Sequence, residues 1–243
     1  MLREVKIFAK LDNISRLTLS FRNDIILSVI KMKESSYEII KDLFVRYPDL
    51  CPAKKDIVCA AELMAEAIKN GNKILLCGNG GSASDCLHIV GELMKEFAVK
   101  RPLSEEVKAA LREAGDDGYI GTNLQGAMPA VSLVGVTALE SAYANDAASD
   151  LGFAQQVLGL GNKGDLLIGI TTSGNSKNVI YAAITAKAKG VKTIALTGGT
   201  GGKIKDICDC AIVAPATETY KIQEYHLPIY HNLCLALENE FFG

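Results

Sequence analysis

Five short apolar runs rich in Val, Ile and Leu punctuate the chain, at residues 73–77, 129–136, 165–171, 192–197 and 210–214. Each is bounded by Gly, Thr, Asn or Asp, and segments with helical spacing lie between them, at 84–97, 176–189 and 219–242. Strands that alternate with helices build βαβ units, whose crossovers make the paired strands run parallel. The runs are continuously apolar rather than alternating, which suits strands covered on both faces. The pattern therefore predicts an α/β fold with a parallel sheet between helices. At 49% apolar residues in 243, the chain has the material for such a core.

Ahead of the sheet, residues 24–47 and 55–70 both read as amphipathic helices, separated by Tyr47-Pro48-Asp49-Leu50-Cys51-Pro52. They predict an N-terminal helical hairpin, while residues 1–22 read ambiguously. Residues 103–115 have helical spacing through Val107 and Leu111 and end in Gly115-Asp116-Asp117-Gly118. They predict an inserted helix and loop between strands 1 and 2. The expected organisation is a helical extension over 1–54 and one domain over 55–243, with an insertion at about 103–128.

Several function classes drop out. The formal net charge is -2, and no basic run with interleaved aromatics is present. Nucleic acid is not an expected partner, because phosphate-backbone binding needs clustered Lys and Arg. Among the seven cysteines no CxxC pair occurs, so a zinc ribbon or thioredoxin-like site finds no support. Cys59, Cys77, Cys86 and Cys234 lie in apolar surroundings and suit reduced core thiols. No apolar run has bilayer length and no charged-then-apolar leader is present, so the expectation is a cytoplasmic protein with no membrane partner.

Two loops point to a ligand. The first run leads into Gly78-Asn79-Gly80-Gly81-Ser82-Ala83-Ser84-Asp85 and then a helix. Glycine lets backbone N–H groups approach an anion, and a helix N-terminus favours negative charge. Gly78, Gly80 and Ala83 satisfy a dinucleotide-type spacing, but that reading needs an acidic residue about 20 positions on, at a second strand end. The next run begins only at 129. A nucleoside-triphosphate loop is absent too, since Gly202-Lys203 is followed by Ile204. The third run ends in Thr171-Thr172-Ser173-Gly174-Asn175-Ser176, four hydroxyls in six residues beside another helix start. Capping accounts for one of them; the others suit the oxygens of a phosphate ester.

GNGGSASD, TTSGNSKNVI, ALTGGTGGK and YKIQEYHLPIYH, in that order, resemble the sugar isomerase (SIS) domain family and, within it, the phosphoheptose isomerases, over most of the chain. The resemblance implies a single domain with a five-stranded parallel sheet and a homotetramer with sites between subunits. It implies a phosphate held by Thr171, Thr172, Ser173 and Ser176 with Ser82 nearby, and sugar or phosphate contacts from Asn79, Gly80, Gly81, Asn145 and Asp146. The implied reaction converts sedoheptulose 7-phosphate to a heptose 7-phosphate aldose.

Only three histidines occur, His88, His226 and His231. His88 and Glu92 are four apart on a predicted helix and share a face, a spacing that suits two ligands of one metal ion. Gln223 and His231 are eight apart, about 80° at helical period, and lean toward one side. His226 is rotated away and reads as structural. The resemblance implies that His88, Glu92, Gln223 and His231 hold a divalent metal, typically zinc. It gives Glu92 and His231 the base and acid roles, with Glu92 and Gln223 also at the substrate. An aldose–ketose isomerisation needs such a pair to move a proton between two carbons through an enediol.

The chain departs from the family at Glu96, where Arg is usual, at Tyr220, often acidic, and in the insertion. Pro228 falls inside the last helical segment, where it must bend the helix or leave the Glu224 carbonyl unpaired. The competing reading is a non-catalytic SIS protein that senses a sugar phosphate or scaffolds a partner; retention of all four metal-type residues favours catalysis.

Overall fold

The computed structural model describes residues 31–243. Its strands are β1 (Ile74–Gly78), β2 (Ala130–Ser132), β3 (Leu166–Ile170), β4 (Lys192–Gly198) and β5 (Cys210–Ala214). They form one parallel sheet in the order β2-β1-β3-β4-β5. Every residue of β1 and β3 is buried, as their unbroken apolar sequences require. From β1 the chain passes first to one side and later to the other, so the topological switch lies between β1 and β3. Ligands of open α/β sheets bind outside the carboxyl ends of strands at such a switch. The two loops singled out from sequence follow these two strands.

The helices are α1 (Glu34–Arg46), α2 (Lys54–Lys69), α3 (Gly81–Met94), α4 (Glu105–Glu113), α5 (Tyr119–Asn123), α6 (Thr137–Asp146), α7 (Gly152–Leu160), α8 (Lys177–Ala188) and α9 (Thr219–Phe242). One sheet face packs on α2, α3 and α9 through residues such as Ile57, Met64, Ile89, Leu93 and Leu237. The other face packs on α7 and α8 through Phe153, Val157, Val179 and Ala183. α1 lies on α9, where Asn232 Nδ2 donates to the Ile39 carbonyl at 2.8 Å.

The expected helical hairpin is present, but its first helix starts at Glu34. The Lys33 backbone N–H is taken by Glu240 at 2.7 Å, and Lys33 Nζ donates to the Gly243 carbonyl at 2.9 Å, so the start of α1 is tied to the end of α9. Residues 1–22 and the expected helical stretch up to residue 30 lie outside the described residues. β2 covers three of the eight residues expected, because Gly135, at φ +86°, turns the chain away shortly after Ser132. Helices α5, α6 and α7 were not legible. Pro228 is buried within α9, which continues through it, and Glu224 is exposed. Among the described residues, no helix is long and apolar enough to cross a membrane.

Candidate functional site

A crevice of about 510 Å³ opens at the carboxyl end of β1, lined by Asn79, Gly80, Thr137, Glu140, Ser141 and Asn178 among others. The Gly-rich loop enters α3 through Gly80 at φ +55°, a backbone region that favours glycine. Asn79 and Asn178 exchange two amide hydrogen bonds, of 2.9 and 2.8 Å, and so join the β1 and β3 loops. Asn178 was missed in the sequence, although it sits two residues beyond the hydroxyl cluster.

In the second loop, Thr171 is buried and its hydroxyl shares a 2.9 Å bond with that of Ser176. Ser176 occupies the N-cap of α8 but makes no side-chain cap, so none of the four hydroxyls is spent on capping. Ser173 is exposed and accepts the Asn175 N–H at 3.2 Å, while Thr172 is half-buried. Gly174, at φ +66°, turns against the Gly201 carbonyl, where an added Cβ would lie 2.0 Å from the oxygen. Ser82 is buried, and its backbone N–H is used by the Asn79 carbonyl. Asn145 and Asp146 end α6, bonded to each other at 2.8 Å and exposed, and they do not line the crevice.

The second centre forms where α3 meets α9. His88 Nε2 lies 3.1 Å from Glu92 Oε1 and 3.4 Å from His231 Nε2. The two imidazoles cross nearly perpendicular, 4.9 Å between centroids. Glu92 is mostly buried, with its side chain 12% exposed, whereas His88 remains open to solvent at 42%. Burial, and then the neighbouring His88, hold His231 below the usual histidine range, which favours its neutral form. Behind His88, its Nδ1 meets the Tyr230 hydroxyl at 3.0 Å, and that hydroxyl lies 3.4 Å from Asp85 Oδ1. Burial raises the Asp85 carboxyl, and its Oδ2 is enclosed without a partner among the described residues. Sequence reading missed both residues, although Asp85 is one turn before His88 and Tyr230 adjoins His231.

Gln223 behaves differently from the other three expected ligands. Its amide lies over Gly81, where an added Cβ would come within 2.3 Å of Nε2, and it makes no hydrogen bond to the imidazole cluster. His226 is structural, as its rotation implied: it is fully buried, its Nε2 meets the Thr197 carbonyl at 3.2 Å, and burial lowers its pKa to about 4. No closed set of three ligating His, Cys, Asp or Glu side chains stands among the described residues as they lie. The donor chemistry nonetheless fits a metal. Two imidazoles and a carboxylate are a known zinc donor set, and bonds of about 2.0–2.1 Å imply tetrahedral donor separations of about 3.3 Å. The two His88 distances fall either side of that value.

Comparison with known proteins decides the family. The SIS domain profile matches residues 52–120 and 119–198, with the break falling in α5 of the inserted stretch. A phosphoheptose isomerase from a Nitratiruptor species is 43% identical over 185 residues, covering 76% of this chain and 86% of that protein. The chain belongs to the SIS domain family, among the phosphoheptose isomerases. It is a sugar-phosphate isomerase. Solved phosphoheptose isomerases share its fold: that of Neisseria gonorrhoeae at 31% identity, covering 93% of this chain and 98% of the other, with TM-score 0.62. That of Francisella tularensis, also 31% identical, covers 91% and 98% with TM-score 0.64. The single α/β domain and its five-stranded parallel sheet are as the resemblance implied.

Proposed function

We propose that this isomerase interconverts sedoheptulose 7-phosphate and a heptose 7-phosphate aldose, with Glu92 as base and His231 as acid. The observation that carries the reading is the convergence of His88, Glu92 and His231 from two separate helices. Glu92 takes the proton from one of C1 and C2 of the open-chain sugar while the carbonyl oxygen gains a proton from His231, giving an enediol, and Glu92 then returns its proton to the other carbon. His231, whose neutral form is favoured, can accept a proton at one nitrogen and return it to the adjacent oxygen. A divalent cation, zinc by family resemblance, would be held by His88, Glu92, Gln223 and His231 and would supply Lewis-acid polarisation of the carbonyl. Gln223 would leave Gly81 to join it.

The phosphate falls to Thr171, Thr172, Ser173 and Ser176, with Ser82 contributing from the first turn of α3. Asn79, Gly80, Gly81, Asn145 and Asp146 face the sugar in this reading. Within one chain the imidazole cluster does not line the crevice beside Asn79; a homotetramer with sites completed between subunits is the assembly that the family resemblance implies. We take residues 55–243 as the catalytic domain, 1–54 as its extension and the cytoplasm as its location.

The test is a coupled isomerase assay on C5 to C7 ketose phosphates, with and without chelator. Turnover of the heptulose phosphate is expected, and Glu92→Gln should lower kcat about a hundredfold or more while substrate still binds. Undiminished turnover by that variant removes the base assignment. Binding without turnover by the unaltered protein moves the chain to the sensor class.

A further inference from the structure

We propose that Tyr230 and Asp85 are a positioning pair that fixes the tautomer and orientation of His88, so that its Nε2 presents a lone pair to Glu92 and His231. This rests on the reading of His88, Glu92 and His231 as the reactive centre, and it concerns groups outside that centre.

Tyr230 has one phenolic hydrogen and two acceptors within reach, His88 Nδ1 at 3.0 Å and Asp85 Oδ1 at 3.4 Å. The shorter distance is to the imidazole, but charge decides the direction. A carboxylate accepts more strongly than a neutral ring nitrogen. Among the described residues Asp85 has no other side-chain donor, and its Oδ2 is enclosed without a partner. Turning the phenolic hydrogen toward His88 would leave both carboxylate oxygens without a donor, and an unmade bond in a buried setting costs about 1–3 kcal/mol. With the hydrogen on Asp85, the phenol oxygen can only accept, so His88 must carry its proton at Nδ1. A neutral imidazole protonated at Nδ1 has its lone pair at Nε2.

The consequence appears on the other side of the ring. Nε2 then faces Glu92 Oε1 at 3.1 Å and His231 Nε2 at 3.4 Å, a convergence of acceptors that asks for a cation or a shared proton. The opposite tautomer would donate Nε2–H to the Glu92 carboxylate at 3.1 Å, a charge-assisted bond that competes directly with the Asp85–Tyr230 arrangement and would occupy both the base and the ligand. Tyr230 also holds the two rings in place sterically. It stands edge-on to His88, 5.4 Å away at 72°, and edge-on to His231, 5.0 Å away at 86°. A ligand imidazole whose second nitrogen is held in this way has its orientation and basicity set from behind.

With only three histidines in the chain, ring nitrogen-15 spectra can assign the tautomer directly. In the full chain stripped of metal, His88 is expected protonated at Nδ1. Tyr230→Phe keeps the ring and removes the hydroxyl, and His88 should move to the Nε2-protonated form. Asp85→Asn should shift it the same way, because the amide can donate to the phenol oxygen and release its hydrogen to His88. For Tyr230→Phe, Zn²⁺ affinity measured by competition with a chromophoric chelator should fall about tenfold or more, and kcat about 10- to 100-fold with KM nearly unchanged. An Nε2-protonated His88 in the unaltered protein overturns the proposal, as does an unmoved tautomer in Tyr230→Phe; if that variant does not fold, Asp85→Asn decides alone. Loss of the isomerase reading would show instead as absent turnover in the unaltered protein, a result independent of the tautomer.

Discussion

Glu238 and Arg101 offer the sharpest test of how the α3 end is held beside α9. Both are buried, at 0% and 1% exposure. Glu238 accepts the backbone N–H groups of Phe97, Ala98 and Val99 at 2.8, 2.7 and 3.1 Å, and Arg101 Nε at 2.8 Å. Arg101 donates onward to the carbonyls of Leu93 and Glu92, at 2.8 and 3.0 Å. Burial alone would raise the Glu238 carboxyl, but the N–H groups and the guanidinium outweigh it and hold it below the usual range. Glu238→Ala strands a buried guanidinium, which costs about 3–5 kcal/mol. Replacing a buried ion pair with two apolar side chains is often nearly neutral. Here it should not be, because three N–H and two C=O groups would lose partners, at about 1–3 kcal/mol for each that water cannot reach. We expect Arg101→Met/Glu238→Leu to remain at least about 3 kcal/mol less stable than the unaltered chain, from urea unfolding at pH 7 across both single variants and the double. A double variant within about 1 kcal/mol would refute the reasoning and reduce the pair to a dispensable bridge. Isomerase turnover should fall with stability, since the same contacts anchor the turn that carries Glu92.

His226, with its pKa lowered to about 4, stays neutral when folded while the unfolded chain gains a proton below its ordinary 6.5. Stability should therefore be full above pH 6.5 and decline as pH falls toward 4; the loss at pH 5 is about 2 kcal/mol. Urea midpoints at pH 7 and pH 5 check this, with His226→Gln expected to remove that part of the slope. Gly174→Ala puts a side chain into positive φ and against the Gly201 carbonyl. A stability loss of about 2 kcal/mol and a raised KM are expected, by thermal melting and steady-state assay; an unchanged KM would mean that the hydroxyl loop does not hold substrate.

The sheet was legible because β1, β3, β4 and β5 are continuous apolar runs, and such runs have few alternatives once both faces must be covered. β2 was overestimated because residues 129–136 are apolar for two reasons: three pair at the sheet edge, while Leu133 and Val134 pack with Phe153, Val157 and Val179 in the core on the α7 and α8 side. α6 escaped because it buries no residue and so carries no apolar stripe to detect. At the candidate site, the four-residue spacing predicted that His88 and Glu92 share a helix face, and they lie 3.1 Å apart. Their meeting with His231 depends on two helices far apart in sequence, which periodicity alone cannot bring together. Tyr230 and Asp85 went unnoticed because a buried tyrosine and a helix-start aspartate look like ordinary packing and capping until their shared contact with an imidazole is seen.

The paired amides of Asn79 and Asn178 have a mechanical consequence. Two hydrogen bonds fasten the turn after one central strand to the helix start after its neighbour, so neither can swing without dragging the other. Parting the two turns means breaking both bonds, at a cost of about 1–3 kcal/mol for the two together. A substitution at either asparagine therefore unfastens both turns at once, whereas Glu140 and Ser141 on the crevice's outer wall carry no such tie.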